Sequence, residues 1–160
     1  MPNLWQRLKP PQKISSHLEL GQLGERLALD FLLRHGYRPV ATNFTVPLGY
    51  SLNGRRITGE IDIVAYDETR QPFTLAFIEV KTRRSREFAA PQTAVDRRKQ
   101  RQITKAARRY RRLVRVEDEP YRYDVVSVLI LPETRPQIEL LRGYFTEAPF
   151  AKSSWQRREF

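Results

Sequence analysis

The chain has 160 residues, of which 40% are hydrophobic, so it is long enough for one domain with a buried core and too short for two comfortable ones. No run approaches the roughly 18 consecutive apolar residues of a membrane span, and the absence of cysteine excludes disulfides and thiolate metal sites. Lysine and arginine number 29 against 18 acidic residues, and the resulting formal net charge of +11 favours a polyanionic partner, usually nucleic acid.

The first residues predict a location and a domain plan. MPNLWQRLKPPQK has neither the apolar segment nor the small-residue cleavage site of a secretory signal, so we expect a cytoplasmic protein with no membrane association. We expect a basic N-terminal arm over 1–17, a single domain over 18–145 and a polar tail over 146–160. A basic surface without a specific partner, or ribosome association without enzymatic work, is the alternative explanation of the charge.

The first half of the domain reads as a helix followed by strands. From Leu18 to His35 apolar residues recur at helical spacing, and Gly36 is a plausible stop. Residues 37–46 look extended, and 47–56, with Pro, two Gly and Asn, predicts a loop or a small hairpin excursion.

The second half completes an α/β pattern. The predicted elements are strands over 57–66 and 73–83 joined by a polar turn, a long helix over 91–115, a very apolar and central strand over 121–131, and a last strand or helical turn over 137–145. The order α-β-β-β-α-β-β predicts one α/β domain in which a mixed sheet is flanked by helices.

Two neighbouring strands carry an acid–base pattern. In FIEVK (77–81), alternation places Glu79 and Lys81 on one face, and on the preceding strand it places Asp62 with Glu60 and Val64. A pairing centred on the turn sets Glu79 near Glu60 and one step from Asp62. Asp62 and Glu79 can then converge on one cation, with Lys81 beside it.

This pattern predicts a hard divalent cation. Facing carboxylates repel each other across a strand pair, and Mg²⁺ typically takes one or two carboxylates plus waters and substrate phosphate. Such an ion activates water and stabilises charge on a phosphodiester, while Lys81 could orient that water or offset the charge. The alternative is that Glu79 and Lys81 are solvated residues that pair with Arg55, Arg56 or Glu60.

The long helix predicts a phosphate-binding surface. Residues 90–115 contain ten lysines and arginines and one acid, Asp96. An apolar stripe from Ile103 to Val114 docks the helix on the sheet, and Gln100 lies on its inward edge. Contacts to phosphates would be salt-dependent and carry little base specificity. The expected nucleic-acid contacts are Arg83, Arg84, Arg97, Arg98, Lys99, Arg101, Lys105, Arg108 and Arg109.

Several motifs in order resemble one family. They are LGQLGERLALDFLLRHGY (20–37), ATNFT (41–45), GEIDIVAYD (59–67), FIEVKTR (77–83), AVDRRKQRQITKAARRY (94–110) and YRYDVVSV (121–128). Together they resemble the YraN-like family of bacterial proteins, which have a predicted endonuclease fold. More remotely, the chain is similar to archaeal Holliday junction resolvases and the wider PD-(D/E)xK nucleases. The resemblance covers roughly residues 18–130.

The resemblance implies a restriction-endonuclease-like core and assigns roles to individual residues. Asp62 takes the place of the PD acid, and Glu79 and Lys81 take the place of the (D/E)xK pair. Glu25 matches an additional acid of resolvase-like members. Further roles fall to Gln100, a helix residue that supports the site, and to the backbone carbonyl of Val80, a metal ligand beside Asp62, Glu79 and Glu25. The implied cofactor is Mg²⁺ or Mn²⁺.

The chain departs from the family pattern in two places. Ile61 rather than proline precedes Asp62, and the stretch 47–57 is longer than the usual link into GEID, which leaves substrate access open. Glu25 has an alternative reading as an exposed acid of an amphipathic helix. We interpret Asp124 as structural, and His17 and His35 as surface or capping residues.

The expected function is a divalent-metal-dependent nuclease that hydrolyses phosphodiester bonds in DNA, with branched or recombination and repair intermediates as candidate substrates. The alternative is a non-catalytic nucleic-acid-binding module or adaptor that keeps the nuclease fold. Resolvase-like relatives often dimerise, so a homodimer is a further expectation, although no interface is identifiable from the sequence.

Overall fold

The computed structural model describes residues 16–86 and 95–147. The predictions for residues 1–15, 91–94 and 148–160 lie outside these ranges. The elements are α1 (His17–Arg34), β1 (Tyr37–Tyr50), β2 (Arg56–Asp67), β3 (Thr74–Arg83), α2 (Arg97–Val114), β4 (Tyr121–Leu129) and β5 (Gln137–Phe145). No helix in the described ranges is long and apolar enough to cross a membrane.

The five strands form one mixed sheet in the order β1-β2-β3-β4-β5. Neighbours run antiparallel except β3 and β4, which are parallel and are connected through α2. This confirms the predicted mixed α/β fold and its element order. The structure also decides that 137–145 is a strand, and it places β3 rather than β4 at the centre of the sheet.

Helix α1 covers one face of the sheet. Ser16 Oγ accepts a hydrogen bond from the amide of Glu19, and His35 ends the helix with its ring against the Phe31 carbonyl at 2.7 Å. The capping role predicted for His35 is therefore confirmed. One core cluster joins this helix to the sheet through Leu20, Leu27, Ala28, Leu32, Ile63, Ala65, Ala76, Ile78, Val126 and Val128.

Helix α2 covers the opposite face. Asp96 caps its first turn by accepting from the amide of Lys99 at 2.8 Å, and Arg115 ends it in the left-handed conformation. The second core cluster includes Val46, Ile61, Val64, Leu75, Phe77, Ile103, Ala106, Ala107, Tyr110 and Val125. The predicted apolar stripe ends at Tyr110, because Leu113 and Val114 are 60% and 47% exposed.

The first two strands change face near their middle. Ile63 packs under α1, whereas Ile61, two residues earlier, packs under α2. On β1, Ala41 and Phe44 both pack against the α2 cluster although they are three residues apart, and Asn43 between them has φ +50°. The prediction that Asp62 shares a face with Val64 is therefore wrong, because regular alternation is interrupted at Asp62.

The predicted register was also wrong. The β2–β3 ladder pairs Ile63 with Ile78 and Asp67 with Thr74, which is two residues away from an alignment of Glu60 with Glu79. The ladder ends at Ile63 and Ile78. This end of the ladder, and not a continuous pairing, positions the acids.

The segment 47–56 is the end of a hairpin, the second of the two predicted alternatives, and not a loop. Pairing between β1 and β2 continues to Tyr50 and Arg56, so the turn is confined to residues 51–55. Proline and glycine are tolerated here because β1 is an edge strand, with a register shift between Pro47 and Gly49. The outcome is a long hairpin that extends past the end of the β2–β3 ladder.

Candidate active site

Asp62 lies where β2 and β3 stop pairing. Its Oδ2 accepts a hydrogen bond of 2.7 Å from the backbone amide of Val80. The side chain thus takes the place of a backbone acceptor just beyond the last ladder pair, Ile63 and Ile78. This bond fixes the Asp62 carboxylate against the part of β3 that carries Glu79 and Lys81.

The surroundings of Asp62 oppose its negative charge. Burial, followed by repulsion from Glu79, raises the pKa of Asp62 to about 7 from its ordinary value of 3.8. The Val80 amide and the charge of Lys99 lower it in part, and Glu25 adds a further rise. A cation between these carboxylates would remove the repulsion, since a nearby positive charge favours the ionised form.

Glu79 is a buried acid that is incompletely satisfied. Its side chain is 4% exposed, and Oε1 lies 2.9 Å from the Lys81 ammonium. Oε2 lies 3.4 Å from the Lys99 ammonium but makes no hydrogen bond within the described ranges. Because buried carboxylate oxygens are normally bonded, this oxygen has unused capacity to accept a hydrogen bond. Glu79 and Lys81 share a face, as strand alternation predicts.

The start of α2 contributes Lys99 rather than Gln100 to these acids. We predicted Lys99 as a nucleic-acid contact, and its ammonium instead reaches Glu79. Gln100, predicted to support the site, donates from Nε2 to the carbonyl of Val95 at 2.9 Å, just before the helix cap. In the contacts that the structure describes, Gln100 therefore stabilises the entry into α2.

Glu25 reaches the site from α1. It shares with Asp62 a cavity of about 260 Å³ between the helix and the hairpin, lined also by Arg26, Thr42 and Asn43. The half-buried position of Glu25 and its effect on the pKa of Asp62 argue against a simply solvated acid. The structure thus brings Glu25 towards Asp62, as the resemblance implies.

Gly24 makes this approach of α1 possible. A Cβ added at Gly24 would lie 1.8 Å from Thr82 Oγ1, far inside any tolerable contact. The helix therefore packs directly on the Thr82 side chain at Gly24, next to Glu25 in sequence, and leaves no room for a methyl group. Sequence reasoning missed this residue, although a glycine directly before a candidate acid in a helix is a signal that could have pointed to it.

The donor set suits a hard cation only if solvent or substrate completes it. In the chain that the structure describes, no three His, Cys, Asp or Glu side chains form a ready metal cluster. Asp62 and Glu79 offer two carboxylates, one with an oxygen that has unused capacity to accept a hydrogen bond, and Glu25 is a neighbour. Mg²⁺ commonly uses one or two carboxylates and keeps several waters, so the residues present fit that ion.

The predicted phosphate contacts mostly lie on one exposed surface. On α2, Arg97, Arg98, Arg101, Lys105, Arg108 and Arg109 are exposed. Arg108 is paired with Glu147 at 2.5 Å, and Arg101 Nε bonds the Arg97 carbonyl. Arg83 and Arg84 lie where β3 ends, beyond Lys81. Basic residues therefore adjoin the carboxylates at two places, the start of α2, where Lys99 reaches Glu79, and the end of β3.

The remaining candidate acids have other roles. Asp124 is 1% exposed and accepts from Arg122 and from the amide of Gly143, which confirms that it is structural. Glu60 is exposed on the hairpin, opposite Thr45, and no contact described for it involves Glu79.

The comparison with known proteins identifies the family. The model described as "Uncharacterised protein family UPF0102" matches residues 24–128, a stretch that contains Glu25, Asp62, Glu79, Lys81 and Gln100. The chain belongs to the UPF0102 family. This confirms the YraN-like family predicted from the sequence motifs.

Curated relatives of this UPF0102 chain match over most of their length. A UPF0102 protein of Solibacter usitatus is 42% identical over 125 residues, covering 78% of this chain and 84% of the relative. A UPF0102 protein of Trichlorobacter lovleyi is 41% identical over 126 residues, covering 79% and 89%. A solved chain described as "Crystal structure of SSO0001" is 17% identical with a TM-score of 0.36, covering 84% of this chain and 56% of that one. A score this low adds nothing to the fold assignment.

Proposed function

We propose that this UPF0102 chain is a divalent-metal-dependent nuclease with a restriction-endonuclease-like, PD-(D/E)xK core. Its substrate is DNA in the cytoplasm, and branched recombination or repair intermediates are the substrate class to test first. The proposal rests on one observation above others. Asp62, Glu79 and Lys81 meet at the end of the β2–β3 ladder, and a buried oxygen of Glu79 has no hydrogen-bond partner in the described ranges.

Asp62 and Glu79, with Glu25 and the Val80 carbonyl, would hold Mg²⁺ or Mn²⁺. When bound, such an ion neutralises phosphodiester charge and makes water a better nucleophile. The chain's own groups fix the arrangement: the Val80 amide orients Asp62, and burial holds Glu79 in one position. Carboxylates that face a phosphate backbone repel it unless a cation lies between them. The presence of these acids therefore supports a site that works with a bound metal ion.

Lys81 supplies a positive charge beside the reacting centre. Its ammonium lies 2.9 Å from Glu79 and its side chain is 34% exposed, so it can contact both the acid and a bound phosphate. From there it can orient a water or offset the negative charge that develops on the phosphate. Lys99 lies on the other oxygen of Glu79 and stabilises the acid until a cation is bound.

A cleavage panel tests the proposal. Labelled duplex, single-stranded, flap and four-way DNA, and the matching RNA, are incubated with Mg²⁺ or Mn²⁺ and with EDTA. We expect metal-dependent cleavage that falls by at least about 10²-fold in Asp62→Asn and Glu79→Gln. Glu68→Gln is the matched control, because Glu68 is an acid at the opposite end of β2 and pairs with Arg38. Absence of cleavage on every substrate, or full activity in both site variants, would refute the proposal.

A second candidate is a non-catalytic nucleic-acid-binding module or adaptor. It is favoured by the two lysines that already neutralise Glu79, since such pairing satisfies much of the acid without any metal. It predicts salt-sensitive DNA binding that is unchanged by Mg²⁺ and persists in Asp62→Asn. Cleavage in the panel would exclude it.

A further inference from the structure

The β1–β2 hairpin carries a second charged and apolar surface that the proposed active site does not use. Beyond Asn43 and Asp62 the hairpin alternates between a covered and an exposed face as far as the register shift at Gly49. Val46 and Ile61 are buried under α2, Phe44 packs edge-on against Tyr110 at 5.1 Å, and Gly59 lies against Ala106. The hairpin is thus fixed to α2 and is not a loose loop.

The exposed face of the hairpin leads from the active-site cavity to its tip. Thr45 pairs with Glu60, Pro47 with Thr58 and Tyr50 with Arg56, and all six are exposed. Because residues two apart share a face, Arg56 and Glu60 continue the side on which Asp62 lies. Glu60 is an acid on this face, and the arginines at the tip outnumber it.

The tip itself is held in one shape. The Ser51 amide donates to the Arg55 carbonyl at 2.8 Å, and Ser51 Oγ accepts from the Arg55 amide at 3.1 Å. The Gly54 amide donates to the Ser51 carbonyl at 2.9 Å, and Gly54 has φ +72°. This ordered turn presents Leu52 fully exposed and Tyr50 75% exposed, next to Arg55 and Arg56.

Single exposed apolar residues are ordinary on a protein surface. Here an aromatic and an aliphatic side chain stand together with two arginines at the end of a rigid arm. Arginine binds phosphate, aromatic rings stack on unpaired bases, and apolar side chains insert between base steps. This combination fits a nucleic acid whose bases are accessible, and it fits an intact duplex less well.

The reach of the arm sets where such a contact would fall. From Asp62 to Arg56 is six residues of strand, about 20 Å at 3.3 Å per residue. Nucleotides rise about 3.4 Å per step along B-DNA. The tip therefore lies about six nucleotides from a phosphate bound at Asp62.

We propose that the hairpin tip is a second DNA-binding element, in which Arg55 and Arg56 hold phosphates while Tyr50 and Leu52 contact unstacked bases about six nucleotides from the cleaved phosphate. The inference rests on the proposed function, because it assumes DNA at Asp62. It names the substrate feature that the site prefers, which is a fork or junction within reach of the arm.

Equilibrium binding tests the proposal without any cleavage. Affinities of the full chain for a labelled four-way junction, a fork and a blunt duplex of equal length are measured by fluorescence anisotropy in EDTA over a salt series. Arg56→Ala should reduce the slope of log affinity against log salt by about 1. The matched control is Arg70→Ala, which removes the same charge from the exposed turn at the opposite end of β2 and should leave the slope unchanged.

The base contacts have their own variant. Tyr50→Ser with Leu52→Ser should weaken binding to the fork and junction about tenfold and change blunt-duplex binding less than twofold. These side chains are exposed, so circular dichroism should show an unchanged fold. The proposal is overturned if Arg56→Ala behaves like Arg70→Ala, if the double variant keeps the preference for the fork and junction, or if the unaltered chain has none.

The two proposals fail in different ways. Tip-dependent binding without cleavage in Mg²⁺ or Mn²⁺ would refute the nuclease and leave the DNA-binding tip in place. Metal-dependent cleavage with tip variants that bind like the unaltered chain would refute only the tip.

Discussion

The folded structure disfavours the negative charge of Asp62. Burial and the neighbouring Glu79 raise its pKa to about 7, so the folded chain keeps this proton to a much higher pH than the unfolded chain does. Stability that is present below pH 4 is therefore lost as the pH rises through 7. A group that destabilises the apo fold when ionised suggests a function that needs its charge.

We predict that Asp62→Asn stabilises the protein at alkaline pH when metal is absent. The amide oxygen can still accept from the Val80 amide, and the variant has no carboxylate to ionise. In EDTA at pH 8 its free energy of unfolding should exceed that of the parent by an amount on the order of 4 kcal/mol at most, and the difference should vanish near pH 4. Urea unfolding at both pH values measures this, and a variant less stable than the parent at pH 8 contradicts it.

Asp67 lies in surroundings that favour its negative charge, in contrast to Asp62. Burial alone would raise the pKa of Asp67, but hydrogen bonds from Thr69 and Arg122 lower it to about 2. Arg122 also bonds Asp124 at 2.7 Å and the Tyr37 hydroxyl at 2.9 Å. These partners satisfy each other, so this cluster is structural, whereas burial and the neighbouring Glu79 disfavour the charge of Asp62.

Removing Arg122 should therefore be costly. We predict that Arg122→Ala destabilises the fold by about 3 kcal/mol, because it removes the cation that bonds both buried acids, Asp67 and Asp124. Arg38→Ala breaks the exposed pair with Glu68 at 2.6 Å and should cost less than about 1 kcal/mol. Urea unfolding at pH 7 measures the free energy of unfolding of both variants. Equal decreases would show that the buried cluster around Arg122 stabilises the fold no more than an exposed ion pair does.

At the scale of elements, the site depends on how closely α1 approaches β3. Gly24 stands against Thr82, and a methyl group there would force the helix away and carry Glu25 from Asp62. Gly21, one turn earlier, faces open space. The two glycines therefore form a matched pair in one helix.

We predict that Gly24→Ala destabilises the fold and lowers metal-dependent cleavage, while Gly21→Ala stabilises it by up to about 1 kcal/mol through helix propensity alone. Urea unfolding and the cleavage panel read the two effects. The close contact itself is tested by combining Gly24→Ala with Thr82→Gly, which removes the atoms that the new methyl group meets and should restore stability. Thr82→Ser is a weaker test, because serine keeps the nearest atom, Oγ. Identical behaviour of the two glycine variants would show that the close approach does not matter.

At the scale of the whole molecule, a bound cation should appear as added stability. Any ligand that binds only the folded chain stabilises it, by about 2.7 kcal/mol at a hundred times its Kd. We predict that Mg²⁺ or Mn²⁺ raises the Tm of the unaltered chain at pH 8, and that Glu79→Gln loses this rise while Glu68→Gln keeps it. Thermal unfolding measures it independently of catalysis, and an equal rise in all three proteins would place the ion elsewhere.

Much of this molecule follows from its sequence. Periodicity predicts both helices and four of the strands in their chain order, the last segment being left open between strand and helical turn, and alternation places Glu79 with Lys81. The side of Asp62 could not be predicted, because period-2 reasoning assumes a regular strand and the left-handed Asn43 interrupts one. The role of Lys99 was missed for a different reason. Its side chain reaches across to another element, which no local pattern records.

The change of face at Asn43 and Asp62 separates the hairpin into two halves. The inner half pairs with β3, and the outer half extends beyond that ladder and packs against α2. Pairs of residues could therefore be added to or removed from the outer half in register, and the carboxylates would keep their positions. An odd number of added or removed residues in each strand would move the side chains of the tip to the opposite face. The length of the hairpin would then set the distance between the cleaved phosphate and the bases that the tip contacts. Hairpins of different length on this fold would therefore prefer substrates whose fork or junction lies at different distances from the cleaved phosphate.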